Sequence, residues 1–429
     1  MDSGNVAWVL ASSALVCLMV PALALFYGGM VGSRRILNMM MMCIGGASLV
    51  AVLWALFGYS LAFGNSVGGL GLIGNLTEYL GMSQLLADNP NAALPGALFA
   101  AFQLFFACVT TALVAGAAAG RMKFGAWMLF AGVWATLVYF PIAHWVFAFS
   151  SADGSVTGGW IASGIKAIDF AGGTAVHMNA GVAALALALV LGRSTGWPKS
   201  EHSKPHSRPL VLVGAGLLWV GWFGFNAGSA LAAGQSASVV FLNTAVAAAA
   251  GLLAWALAER LRLGAASSMG AASGLIAALV AITPACGAVS PLGALAIGAI
   301  AGAVCSLAIE WKYRLGFDDS LDVVGVHLVG GLIGTLLIGL FATAAAPNGV
   351  NGLFYGGGFR QLGIQAVASA AVLAYSFTVT WLIAKAIDKT MGLRIDPADE
   401  LRGIDLAAHA EFAYLTDEEP VDLGSPRRT

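Results

Sequence analysis

The chain has 429 residues, of which 59% are hydrophobic and only 10% charged, where an ordinary soluble protein is roughly 25% charged. Too few polar residues exist to cover a water-facing surface, which excludes a soluble globule and makes the bilayer the solvent. The formal net charge of −1 offers no basic surface for nucleic acid.

Apolar runs of about 20 residues, enough to cross a ~30 Å hydrocarbon core, fall near 6–27, 38–63, 94–119, 124–149, 169–191, 209–231, 236–258, 265–283, 288–309, 323–345 and 362–386. This predicts an all-α polytopic membrane protein with eleven transmembrane helices. The first run lacks a basic leader and an A-x-A-like cleavage site and continues into Tyr27-Gly28-Gly29, so it reads as a retained helix. All Lys and Arg except Lys166 and Arg360 fall in the turns after the first, third, fifth, seventh and ninth runs or at the C-terminal end, from Arg34 and Arg35 through Lys199 to Arg427 and Arg428. Basic residues are retained in the cytoplasm, so the N-terminus is expected outside and the C-terminus inside. The 56 glycines suit helices that pack backbone against backbone in lipid.

The fifth run reads Asp169-Phe170-Ala171-Gly172-Gly173-Thr174-Ala175-Val176-His177-Met178-Asn179-Ala180-Gly181, and the tenth reads Asp322-Val323-Val324-Gly325-Val326-His327-Leu328-Val329-Gly330-Gly331. Each holds an Asp, a Val-His pair and a Gly four residues past the His. Five helices separate them, which predicts a 5+5 inverted repeat, about 6–191 and 209–345, with the eleventh helix at 362–386 outside it. Residues 1–387 form the expected transmembrane domain and 388–429 a cytoplasmic tail.

A histidine inside a span is costly and marks a functional site; two at matching positions predict one shared site. At 1.5 Å per residue, His177 lies ~12 Å from Asp169 and His327 ~7.5 Å from Asp322, leaving ~10 Å of the core between them. Contact requires recessed helix starts, so vestibules are expected on both faces with an apolar constriction between, where two neutral imidazoles share a hydrogen bond. Carbonyl-bonded histidines in a packed bundle and bis-His haem ligation are the competing readings. His202, His206 and His409 read as solvated, and His144, beside Trp145, as a packing residue. Five cysteines lie in apolar runs without CxxC spacing, which suggests neither disulfides nor zinc. No metal-ligand cluster, Ser-His-Asp set or phosphate loop supports an enzyme, and no cofactor is expected.

Four blocks carry a resemblance: Ala22-Leu23-Ala24-Leu25-Phe26-Tyr27-Gly28-Gly29, the Asp169–Gly181 run, Gly221-Trp222-Phe223-Gly224-Phe225-Asn226-Ala227-Gly228-Ser229, and Asp318-Asp319-Ser320-Leu321-Asp322 leading to His327. In this order they resemble the Amt/Mep/Rh ammonium transporter family over nearly the whole chain. The resemblance implies a cell-membrane homotrimer with one pore per subunit for ammonium or ammonia. It places substrate recruitment at Phe106, Phe147 and Ser229, a gate at Phe106 and Phe225, and the pore at His177, His327 and Trp222, with Asp169 and Asp322 in support. Many members carry Trp where Phe147 stands. A Phe face attracts a cation less than Trp, which leaves two readings: weaker recruitment, or Trp160 folding over the site. Asp169 also reads as a cap on the fifth helix. Gly120 and Leu328 are further departures, and Leu328 is expected to narrow or reshape the pore.

Carrying an intact ammonium ion through an apolar constriction costs several kcal/mol. The expected route is therefore capture outside, deprotonation near Phe106 and Phe225, and passage of ammonia along the histidines, with the proton relayed separately as the resemblance implies. An electroneutral Rh-type ammonia or carbon dioxide channel and an ammonium sensor are the alternatives. The stretch from Gly392 through Glu411-Phe412-Ala413-Tyr414 resembles the family's regulatory tail, which packs under the trimer and helps a PII signalling protein block the pores; Ala410 and the extension past Tyr414 depart from it.

Overall fold

The structure is a computed structural model that describes residues 1–87, 92–198 and 204–414. Lys199, His202, Arg427, Arg428 and the extension past Tyr414 lie outside these residues. Among the described residues ten helices are long and apolar enough to cross a membrane. They are α1 (Ser3–Met30), α2 (Ser33–Phe63), α3 (Gly96–Ala118), α4 (Phe124–Phe147), α5 (Gly173–Leu191), α6 (Arg208–Gly228), α7 (Gln235–Leu263), α9 (Pro291–Leu315), α10 (Val324–Phe341) and α11 (Arg360–Thr390). Between α7 and α9 lies a shorter apolar helix, α8 (Ser268–Ile282). Every predicted run thus has a helical counterpart, and the described residues form only isolated β-bridges.

Capping residues set the helix starts. Asp2 accepts from Asn5 N–H at 2.9 Å, Ser207 from Leu210 at 3.3 Å with Pro209 behind it, and Ser267 from Gly270 at 2.8 Å; each side chain satisfies an N–H that a helix start leaves free. At the other end of α7, Gly264 adopts φ 83°, the left-handed conformation that ends helices cheaply on glycine. In lipid no hydrophobic force drives helix to helix, so packing depends on close approach. α6 lays Gly214, Gly221, Gly224 and Gly228 against Phe26, Met19, Leu15 and Ser12 of α1, at positions where a Cβ would collide.

The two histidine helices are joined in the same way. A Cβ on Gly181 of α5 would strike the backbone of Leu328, and one on Gly331 of α10 would lie 3.0 Å from Gly173 O and 3.1 Å from Met178 N. Each glycine therefore seats the residue that follows the other helix's histidine. Both helices also open with a π-helical turn, Gly173–Met178 and Val324–Leu328, in which the histidine is the penultimate residue. The wider π turn re-aims side chains locally.

The fifth run begins later than its hydropathy suggests: α5 starts at Gly173, because residues 166–172 form the loop that caps it. α11 runs on to Thr390, so the expected boundary at 387 falls inside a helix. The following segment, with the short helices α12 (Pro397–Arg402) and α13 (Ile404–His409), is docked on the membrane domain. Leu393 O accepts from Lys123 N–H at 2.9 Å and Arg121 O from Ile395 N–H at 3.1 Å. The fully buried Glu400 takes Arg394 at 2.7 Å and Thr195 N–H at 2.8 Å.

Candidate functional site

The start of α5 is held by one carboxylate. Asp169 accepts from the backbone N–H groups of Gly172 (2.8 Å), Gly173 (2.6 Å), Thr174 (2.8 Å) and Ala175 (3.2 Å) and from the Thr174 hydroxyl. These are donors a helix start exposes, and the helix dipole favours negative charge there. The loop carrying Asp169 is gripped by buried Gln365 of α11, which donates to Ile168 O at 2.7 Å and accepts from Ile168 N–H at 2.8 Å.

The start of α10 corrects the expected pairing of Asp169 with Asp322. Asp322 sits at φ 60° and turns its carboxylate to Lys312 Nζ at 2.6 Å. The cap is Asp319, whose Oδ2 accepts from Val324 N–H at 2.7 Å. Asp169 stands eight residues before His177, and Asp319 stands eight before His327; that spacing is the signal that identifies the true counterpart. Burial pushes the Asp319 carboxyl up to about 6 against the opposing pull of Lys312. Burial also opposes ionisation of neighbouring Asp318, yet the Arg121 guanidinium at 3.5 Å holds its carboxyl below the usual range.

Between these starts the two imidazoles meet. His327 Nδ1 lies 3.3 Å from His177 Nδ1, and the rings stack with centroids 5.3 Å apart. A bond between two Nδ1 atoms needs one donor and one acceptor, so the neutral pair holds a single proton between them with either ring as donor. His177 Nε2 has no hydrogen-bond partner among the described residues. The Trp222 ring stacks on His177 at 5.3 Å and is fixed by its own Nε1–H, which donates to Thr283 Oγ1 at 2.8 Å.

Aromatic rings continue the file toward the face that carries the N-terminus. Phe225 is 5.8 Å from His177, Phe106 stacks on Phe225 at 4.2 Å, and Phe147 meets Phe106 edge-on at 6.4 Å. Phe106 and Phe225 are fully buried. Past Phe147 opens a cavity of about 630 Å³ whose walls include Phe147, Lys166, Asp169 and Ser229. Ser229 donates its hydroxyl to Phe225 O at 2.8 Å, which leaves its oxygen lone pairs as acceptors.

Of the expected site residues, Phe106, Phe147, Phe225, Trp222, His177, His327 and Ser229 come together, and Asp169 lies at the cavity wall. Trp160 does not close over the cavity: its ring packs on Trp145 at 5.8 Å, and its backbone N–H is bound to Gly71 O at 3.1 Å. Leu328 packs against Gly181.

Two histidines expected to be solvated are structural instead. His206 bonds Val31 O at 3.0 Å and Tyr414 at 3.2 Å, and His409 bonds Asn38 Nδ2 at 3.0 Å, so both fasten the docked tail. His144 is buried and bonded to Ala62 O at 3.0 Å, a packing arrangement. Thr283 and Gln365 are not legible in the sequence, because a lone polar residue in an apolar run carries no spacing signal.

Comparison with known proteins bears on this geometry. The model of the Ammonium Transporter Family matches residues 7–414. The ammonium transporter of Mycobacterium tuberculosis is 56% identical over 96% of this chain and 90% of its own length, and that of Corynebacterium glutamicum is 47% identical over 99% and 92%. Among solved structures, Saccharomyces cerevisiae Mep2 superposes with a TM-score of 0.84 at 34% identity, covering 92% of this chain and 88% of that one. A sensor Amt protein superposes with a TM-score of 0.85 at 29% identity, over 95% and 98%. With matches that run nearly end to end and agree in fold, the chain belongs to the ammonium transporter family, a family of transporters and not of enzymes.

Proposed function

We propose that this protein is a multi-pass ammonium transporter of the cell membrane that separates ammonium into ammonia and a proton and carries both through a pore lined by His177 and His327. The unbroken file of rings from the Phe147 cavity to the histidine pair is the observation that carries the reading. The cavity offers what a small cation needs, the Ser229 lone pairs and the Phe147 face, since aromatic faces attract cations. Below it the stacked Phe106 and Phe225 form a dry gate. A charge forced through such a gate costs several kcal/mol, so the ion loses its proton there. Neutral ammonia passes along Trp222 and the imidazoles, while the proton moves by donor and acceptor exchange between the two Nδ1 atoms. Potassium has no proton to lose and is turned back.

In this reading the N-terminus faces outward and the tail faces the cytoplasm, eleven helices span the bilayer, and the first ten form a 5+5 inverted repeat. The membrane domain through Thr390 conducts and the tail beyond it regulates. Three copies assemble, and a PII-type signalling protein docks on the tail face.

Current on a solid-supported membrane after an ammonium jump tests the mechanism, using proteoliposomes of the native chain, of His177→Ala and of the double change at His177 and His327. A native transient lost in both variants is expected. No native current, with ammonia-driven alkalinisation of the lumen intact, would overturn the proton relay in favour of electroneutral gas conduction.

A further inference from the structure

The carboxylates that begin α5 and α10 match in position and differ in chemistry. Asp169 has both oxygens engaged, by four backbone N–H groups and one hydroxyl. Asp319 receives Val324 N–H on Oδ2, while its Oδ1 is buried with no hydrogen-bond partner among the described residues. A buried carboxylate oxygen without a donor is costly as an anion and tolerable as an acid.

The ionisable groups around it are committed elsewhere. Lys312 of α9 gives its ammonium to Asp319 O at 2.9 Å and to the Asp322 carboxylate at 2.6 Å. Arg121, from the turn between α3 and α4, binds Asp318 O, Ser320 and Ala117 O. The Tyr27 hydroxyl of α1 donates to Leu113 O at 3.1 Å. Asp318 and Ser320, the chain neighbours of Asp319, line a cavity of about 100 Å³ together with Arg35 and Lys312, and Asp319 itself stands behind that wall. On the other side His327 follows Val324 by three residues within the same π turn.

We propose that Asp319 is a proton-exchanging residue at the exit of the pore, accepting the proton that the histidine pair delivers and returning it to ammonia as ammonium re-forms. The inference rests on the relay described under the proposed function. In the first step an imidazole N–H bond breaks and an Oδ1–H bond forms. In the second, that O–H bond breaks as the ammonia lone pair takes the proton, which restores the carboxylate and consumes no other reactant. The transfer runs downhill, because an amine nitrogen is a far stronger base than a carboxylate. The burial that raises the Asp319 carboxyl to about 6 puts it near the working range, where it can fill and empty.

Asp319→Asn tests this, since the amide keeps an acceptor for Val324 N–H and loses the exchangeable proton. Proteoliposome currents are measured with equal pH on both sides. As Asp319 fills with protons, the ratio of native to variant current is expected to fall about tenfold from about pH 7 to about pH 5. Asp319→Glu should restore the slope. A ratio constant across that range would mark a structural cap and overturn the proposal, as would loss of the slope in Asp319→Glu. Infrared difference spectra of the native protein give an arm that needs no variant: a carboxylic-acid carbonyl band must grow with a midpoint near pH 6, and its absence would sink the idea. A native protein without any current would defeat the relay and Asp319 together, whereas a native current with a constant ratio would defeat Asp319 alone.

Discussion

At the scale of single residues, two side chains, Asp169 and Thr283, brace the elements around the histidine pair. Asp169 satisfies the N–H groups at the start of α5, and each donor left unpaired in a buried site costs about 1–3 kcal/mol. Asp169→Ala is therefore expected to lower the thermal stability of the purified protein steeply and to abolish the ammonium-induced current, while Asp169→Asn retains part of both. Thr283 holds the Trp222 ring on His177. Thr283→Val conserves volume and strands the indole N–H, so it should cost about 1–3 kcal/mol and reduce current with little change in the elution profile on size exclusion. Asp319 adds a pH dependence to stability. Burial pushes its carboxyl up to about 6, above the ordinary range of an Asp in the unfolded chain, so between the two values the native state holds a proton that the unfolded state has released. Stability is highest below the lower value, falls as pH rises between the two and is flat above. Melting temperature in detergent should rise on acidification from about pH 7 to about pH 5, and that rise should shrink in Asp319→Asn.

Helices α5 and α10 are legible in the sequence as apolar runs with a histidine, but their starts are not. Hydropathy cannot separate the Ile168-Asp169-Phe170-Ala171 loop from the helix behind it, since both are apolar around one Asp. The shared Asp then Val-His pattern points to Asp322 as the partner of Asp169, whereas the eight-residue spacing to the histidine belongs to Asp319. Contact between the histidines depends on Gly181 and Gly331 admitting the opposite backbone. Gly181→Ala would put a Cβ 2.3 Å from Leu328 N, so it should force the helices apart and extinguish the current, with the protein still inserted. The docked tail offers a gain instead of a loss. Ala410 sits at φ 56°, where a Cβ costs about 1 kcal/mol. Ala410→Gly is expected to slow amide hydrogen exchange across α13 and the residues it holds, including Asn38 and His409.

For the whole molecule, the proposed topology makes a test independent of transport. With exposed Cys17 changed to Ser, a cysteine at Ser150 should be labelled on intact cells by a membrane-impermeant maleimide, and one at Glu411 only after lysis; the reverse pattern would invert the topology. The segment just past α5 ties the tail to the start of α10. Glu400 binds Thr195 just past α5, and Asp318 just before α10 binds Ser194 N–H at 2.8 Å.

What the amino-acid order settles by itself here is what depends on composition and on short local spacing. A chain this apolar must live in lipid, and hydrophobic runs matched to the bilayer must be helices, because lipid leaves no other partner for backbone N–H and C=O groups. The histidine motifs and the family blocks are legible for the same local reason. Tertiary structure alone decided that Asp319 and not Asp322 caps α10, that Trp160 turns to Trp145 and away from the cavity, that His206 and His409 fasten the tail, and that Gln365 and Thr283 brace the pore. Each of these depends on which surfaces meet between segments distant along the chain or on how a non-helical turn aims a side chain, and neither is encoded in periodicity.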